Sequence, residues 1–202
     1  MLLNLFFIFS YLIGAIPNGY IISKSIYHFD IQKHESGNIG ATNVLVTLGI
    51  LPSILTFILD ALVGFLPAFL TKELTNSLYI AALSGVVAVF GHDFSIYMKG
   101  FKGGRGVATS FGVGLAIVPK ATFLSLFVFV VTVVLTRYVA VGSILAILLN
   151  PIFVYLLYKD IYLSFAPVVI GIIIIISHRK NIINLITGNE IRAEIKLIKR
   201  RN

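Results

Sequence analysis

The chain has 202 residues, of which 58% are hydrophobic and only 12% charged, with a formal charge of +8 and no cysteine. Soluble domains carry about 25% charged residues, so a soluble single domain is excluded, as are a disordered chain and a disulfide scaffold. A polytopic membrane protein remains, and the informative question becomes where its Lys and Arg residues sit.

A transmembrane helix needs about 20 mostly apolar residues. In chain order, uncharged runs predict spans at 2–23, 44–71 (with one charge, Asp60), 76–91, 107–119, 121–136, 138–158 and 161–177. The first run has no basic residue ahead of it, so a membrane span is expected there and not a cleaved signal peptide. A single long span over 107–136, broken at Pro119-Lys120, is the competing assignment. Charge decides between them. With seven spans and the N-terminus outside, thirteen of the sixteen Lys and Arg fall on the cytoplasmic side, leaving Lys72, Lys120 and Lys159 outside. Merging 107–136 reverses that balance. The positive-inside rule therefore favours an all-α fold: a seven-transmembrane-helix bundle, N-terminus outside and C-terminus cytoplasmic. One integral membrane domain over 1–202 is expected. Its basic charge is assigned to cytoplasmic loops facing anionic lipid and anionic substrates, with no nucleic acid partner.

Three polar segments stand out, all on the cytoplasmic face of this topology. The first runs from Ser36 to Asn43 and holds Ser36, Asn38, Gly40, Thr42 and Asn43 without a carboxylate. An N-cap for the second span needs one such residue, Thr42 or Asn43; the surplus fits a hydrogen-bonding shell for an oxygen-rich ligand. The second segment joins Gly91-His92-Asp93 to Lys102-Gly103-Gly104-Arg105-Gly106, immediately before a helix that begins near Val107. Glycines let consecutive backbone N–H groups face one point, the helix start adds donors, and the cations add charge, which together suit phosphate. The pattern is not a P-loop, so nucleotide is disfavoured. In the third segment, His178 and Asn181 share a face if the helix continues through them, with Glu190 following.

Together SGNIGATNVLVTLG (36–49), GHDFSIYMKGFKGGRGVATSFG (91–112) and SHRKNIINLITGNE (177–190) resemble the bacterial membrane glycerol-3-phosphate acyltransferases that use acyl phosphate as donor, the PlsY family. Weaker matches are Leu59-Asp60 with Gly64, and Thr136-Arg137-Tyr138-Val139. The resemblance implies transfer of a fatty acyl group from acyl phosphate to the 1-hydroxyl of sn-glycerol 3-phosphate, giving lysophosphatidic acid and phosphate. It implies no metal and no cofactor, a multi-pass protein of the bacterial inner membrane, and a site on the cytoplasmic face. By the same resemblance, catalytic roles go to Ser36, Lys102, His178 and Asn181. Binding of substrate and phosphate goes to Asn38, Gly40, Thr42, Asn43, Gly103, Gly104, Arg105 and Gly106, with Asp60, His92 and Glu190 in support. An acyl phosphate is already activated, so positioning and charge stabilisation suffice and no dedicated nucleophile is required. Whether His178 moves a proton or a substrate phosphate oxygen does so stays open.

The chain departs from the family pattern at four positions. Val46 and Val63 stand where the family has cations, Ser95 where it has proline, and Arg105 where lysine is common. Lys24, Lys33 or Arg179 is expected to replace the missing charge, and Asp60 to reach Lys102 or Arg105, because a carboxylate in a span rarely lacks a partner. A phosphate or glycerol-phosphate transporter and a non-catalytic paralogue are the alternative readings. A monomer is expected, since the sequence carries no association signal.

Overall fold

The computed structural model describes residues 2–192, and every described regular element is helical. Lys196, Lys199, Arg200 and Arg201, counted above as cytoplasmic, lie outside the described residues. Helix α1 (Leu2–Gly14) stops short of Pro17, which has no N–H to donate and disfavours helix at the residue before it. The chain resumes as α2 (Asn18–Ile21) and a π-helical turn (Ile22–Ile26). The expected span at 2–23 is therefore kinked, and the kink sets Asn18 inside the protein, 7% exposed.

The second expected span is also divided. Helix α3 (Ala41–Leu48) ends at Gly49, whose φ of 98° an L-residue side chain would oppose, and α4 (Ile50–Thr75) starts afresh. Asn43 caps neither helix. It lies in the first turn of α3, and its Nδ2 donates to the carbonyls of Asn38 (2.7 Å), Ile31 (3.3 Å) and His34 (3.3 Å). The amide thus braces the preceding loop, and Gly40 occupies the N-cap of α3.

Helix α5 (Leu78–Asp93) begins at Ser77, whose hydroxyl accepts the Ile80 N–H. Helix α6 (Val107–Ile117) and helix α7 (Pro119–Thr136) are separated at Val118, with Pro119 starting the new helix. Helix α7 folds back along α6. Thr122 of α7 occupies the space beside Gly114 of α6, and Phe129 reaches the level of Val107. Helices α8 (Val139–Tyr158) and α9 (Ile161–Ser177) follow, and α10 (Arg179–Ile186) leaves α9 at a bend of 60°. Asp160 caps α9 by accepting the Leu163 N–H at 2.9 Å, and Tyr79 donates to its other oxygen at 2.8 Å. These two bonds hold the Asp160 carboxyl below the usual carboxylate range.

Among the described residues, Leu3–Ile26, Ile50–Thr75, Pro119–Thr136 and Val139–Tyr158 are long and apolar enough to cross a membrane, and the bent pair α9–α10 is a fifth such unit. Helices α5 and α6 are apolar but shorter. Large apolar side chains such as Leu51, Phe127, Val134, Leu135 and Ile172 point outward and are more than half exposed. In water that surface would aggregate; in a bilayer it is the lipid contact.

Small residues draw the inner helices together, in place of the hydrophobic drive that lipid cannot supply. Helices α4 and α6 run parallel to each other, both antiparallel to α5, with almost no gap between them. A Cβ on Gly64 would collide with the Thr109 carbonyl, and one on Gly112 with the Ala61 carbonyl. This contact carries Asp60 of α4 to the level where α6 begins. Ser95 belongs to the same framework, since its hydroxyl donates to the Ala15 carbonyl at 2.5 Å and ties the loop after α5 to the break after α1.

Candidate active site

A polar cavity of about 1070 Å³ opens at the end of the bundle where α3, α6, α8 and the 178–192 segment meet. Each of the three polar sequence segments contributes to its wall. From the first come Ser36, Asn38, Gly40, Thr42 and Asn43; from the second, His92, Arg105 and Gly106; from the third, His178, Asn181 and Glu190. Asp60 lies at its inner wall.

Two turns shape the first segment. Ser36 Oγ accepts the Asn38 N–H at 3.4 Å, and Asn38 Oδ1 accepts the Gly40 N–H at 2.8 Å. Short polar side chains hold a loop in this way when they bond to backbone two residues on. Ser36 and Thr42 are exposed on the wall, whereas Asn43 is buried.

The glycine segment does something different from cradling phosphate directly. Gly103 N–H donates to the Asp93 carbonyl (3.1 Å) and Gly104 N–H to the His92 carbonyl (2.9 Å). A Cβ on Gly104 would strike the His92 imidazole. These two glycines therefore clasp the end of α5, and neither lines the cavity. Lys102 is exposed on the loop and is likewise not among the lining residues. The backbone donors left outside the helical ladder come a few residues later, at the start of α6. The first return bond of α6 is Ser110 N–H to Gly106 O at 2.7 Å, so the N–H groups of Val107, Ala108 and Thr109 precede the helical ladder. Gly106, Val107 and Ala108 line the cavity beside Arg105. Burial pushes the Arg105 guanidinium below its usual range, and the carboxylates of Glu190 and Asp93 pull it back up. A guanidinium keeps its charge throughout. A helix start beside an arginine is a combination of groups that attracts anions.

Asp60 does not reach Lys102 or Arg105. Its Oδ1 accepts the Asn18 amide at 3.0 Å, and its Oδ2 lies 3.9 Å from His92 Nε2. The α4–α6 contact and the kink after α1 seal it at 1% exposure, deeper than either loop cation. Val63 is buried on α4, 7% exposed, so an apolar residue fills the position where the family pattern carries charge.

The helix does not continue through His178, yet His178 and Asn181 still meet at the cavity, both buried. His178 Nδ1 lies 2.9 Å from the Ile174 carbonyl. A carbonyl can only accept, so Nδ1 carries the proton; burial pushes the imidazole down to about 4, and in the neutral ring Nε2 is an acceptor. Asn181 Nδ2 donates to Glu190 Oε1 at 2.6 Å. The amide oxygens of Asn43 and Asn181 are buried and have no hydrogen-bond partner among the described residues. The cavity thus places an arginine and a helix start near amide oxygens that are free to accept hydrogen bonds. Asn18, supporting Asp60, and Arg192, on the cavity wall, were not singled out in the sequence.

A second, apolar cavity of about 940 Å³ adjoins the first along α6, α7, α8 and α9. The two share Phe57, Val107, Phe129 and Ser143.

The profile of the family described as glycerol-3-phosphate acyltransferase matches residues 4–188. Glycerol-3-phosphate acyltransferases from Desulfotalea psychrophila and Fusobacterium nucleatum are 44% and 38% identical to this chain, each covering 92% of it and 95% of the relative. Two crystal structures of PlsY, an integral membrane glycerol 3-phosphate acyltransferase, have the same fold at 36% identity. The glycerol 3-phosphate form superposes with a TM-score of 0.90 over 96% of both chains. The lysophosphatidic acid form gives 0.88 over 96% of this chain and 97% of that one. The chain belongs to the glycerol-3-phosphate acyltransferase family.

Proposed function

We propose that the protein transfers a fatty acyl group from acyl phosphate to the 1-hydroxyl of sn-glycerol 3-phosphate, releasing lysophosphatidic acid and inorganic phosphate. The observation that carries this reading is the junction of the two cavities at Val107. A donor with an apolar tail and a phosphorylated head fits across it, with the tail among α6–α9 and the phosphate at Arg105 and the start of α6.

In this reading the glycerol oxygen attacks the acyl carbonyl carbon, the bond from that carbon to the phosphate oxygen breaks, and phosphate leaves with the electron pair. His178 Nε2 accepts the hydrogen bond of the attacking hydroxyl, and its proton ends on the released phosphate. Arg105 and the N–H groups at the start of α6 stabilise charge growing on the leaving group. Ser36, Asn38, Gly40, Thr42 and Asn43 border the space for the glycerol, and Asn181, held by Glu190, offers its oxygen to a hydroxyl. Lys102 guides anions toward the mouth from its exposed loop, while Gly103 and Gly104 hold His92, and through it Asp60, in register.

The topology proposed is seven spans, N-terminus outside and C-terminus cytoplasmic, in a bacterial inner membrane, working as a monomer. The back-folded α6–α7 pair and the clustering of basic residues at the cavity end support it. Donor choice tests the chemistry. Purified protein is supplied with glycerol 3-phosphate and either palmitoyl phosphate or palmitoyl-CoA. Turnover is expected with palmitoyl phosphate alone; equal rates with the thioester would contradict the reading.

A further inference from the structure

Two phosphorylated substrates sharing one cavity bring several negative charges together, since a phosphate monoester carries roughly −1.5 to −2 near neutral pH. Among the described lining residues, the Lys and Arg side chains are Arg105 and Arg192. They occupy different depths. Arg105 is half-buried beside Val107, where the polar and apolar cavities join. Arg192 is exposed, on the stretch that follows Glu190 and Ile191.

Arg192 is also held in place. Its Nε donates to the Tyr138 hydroxyl at 3.1 Å, and its guanidinium carbon lies 5.6 Å from the centre of the Tyr138 ring. Tyr138 immediately precedes α8, whose Val139, Ala140 and Ser143 line the same cavity. The ring therefore fixes the arginine to the α8 wall. On the α3 wall the corresponding surface is apolar: Val46 lines the cavity and is 43% exposed.

We infer that Arg192 binds the phosphate of the water-soluble acceptor, glycerol 3-phosphate, and supplies the positive charge that Val46 does not. The inference rests on the acyltransferase reading and assigns the two cations to different substrates. The inner cation adjoins the apolar cavity and serves the donor; the outer one meets a substrate arriving from water. A guanidinium suits the task because its planar fork matches phosphate oxygens.

The test uses full-length protein in lipid nanodiscs, with KM measured for each substrate and equilibrium binding of radiolabelled glycerol 3-phosphate measured without donor. Arg192→Gln is expected to raise KM and Kd for glycerol 3-phosphate about tenfold or more, with kcat and the KM for palmitoyl phosphate within about twofold of wild type. Arg192→Lys keeps the charge without the fork and recovers part of the loss, as does Val46→Arg in the Arg192→Gln background, which a purely structural role would not allow. If Arg192→Gln leaves glycerol 3-phosphate binding unchanged, or if both KM values rise together, the assignment is overturned while the acyltransferase reading stands. A wild-type protein that neither turns over nor binds glycerol 3-phosphate removes both.

Discussion

The two cavities share a wall and treat their polar groups in opposite ways. In the apolar cavity the hydroxyls are paired internally: Ser110 with the Val107 carbonyl, Thr122 with Val118, Ser143 with Val139, and Ser125 with the Asn150 amide at 2.8 Å. Nothing there asks for a polar ligand, so a hydrocarbon chain loses no hydrogen bonds by entering. In the polar cavity the Asn43 and Asn181 oxygens are unpaired among the described residues, and α6 presents its first N–H groups beside an arginine. Leaving such groups unmade in a buried site is costly, and that cost becomes binding specificity when the right ligand supplies the partners. In the proposed reading, this contrast is what seats a donor with an apolar tail and a phosphorylated head across one small bundle.

Substitutions on either side of the shared wall probe the contrast. Arg105→Ala removes the inner cation and should lower kcat/KM for phosphate release about 10³-fold, whereas Arg105→Lys keeps the charge and most of the activity. Asp60→Ala leaves the Asn18 amide without its buried acceptor and removes the carboxylate beside His92, a loss of about 1–3 kcal/mol, visible as a lower Tm in detergent. On the apolar side, Ala146→Phe fills space along α8 and should cut the rate with palmitoyl phosphate about tenfold relative to a ten-carbon donor, following the area of chain it excludes. The KM for glycerol 3-phosphate should not move. Replacing Ser125 and Asn150 together, by Ala and Leu, removes both members of an internally satisfied pair. It should change stability and both KM values by no more than about twofold. A large effect of that last pair on phosphate release would break the division between the two cavities.

Much of the site was legible in the sequence because polar residues in an apolar chain are conspicuous. Ser36 to Asn43, Arg105-Gly106 and His178 with Asn181 stand out by composition alone, and the fold brings them to one cavity. The break between α6 and α7 was legible from charge, since one long helix gives a poorer balance under the positive-inside rule. The sequence was less clear where a feature depends on cross-helix partners. Asp60 bonds to Asn18, 42 residues away, and no periodicity connects them. The glycines at 103 and 104 suggested a phosphate cradle, because glycine-rich loops that expose N–H groups and those that press onto a neighbouring helix have the same composition. Arg192 was one cation among many near the C-terminus, and its contact with Tyr138 joins residues 54 apart in sequence.

The central claim is that one cavity joins an acyl phosphate to glycerol 3-phosphate. It is tested most directly by giving purified wild-type protein palmitoyl phosphate and glycerol 3-phosphate and quantifying both products, phosphate by colorimetry and lysophosphatidic acid by mass spectrometry. The account predicts that the two appear in equal amounts, and that neither accumulates when glycerol 3-phosphate is left out. Phosphate release without lysophosphatidic acid, or no turnover even after Val46→Arg restores a cation to the cavity, would contradict it.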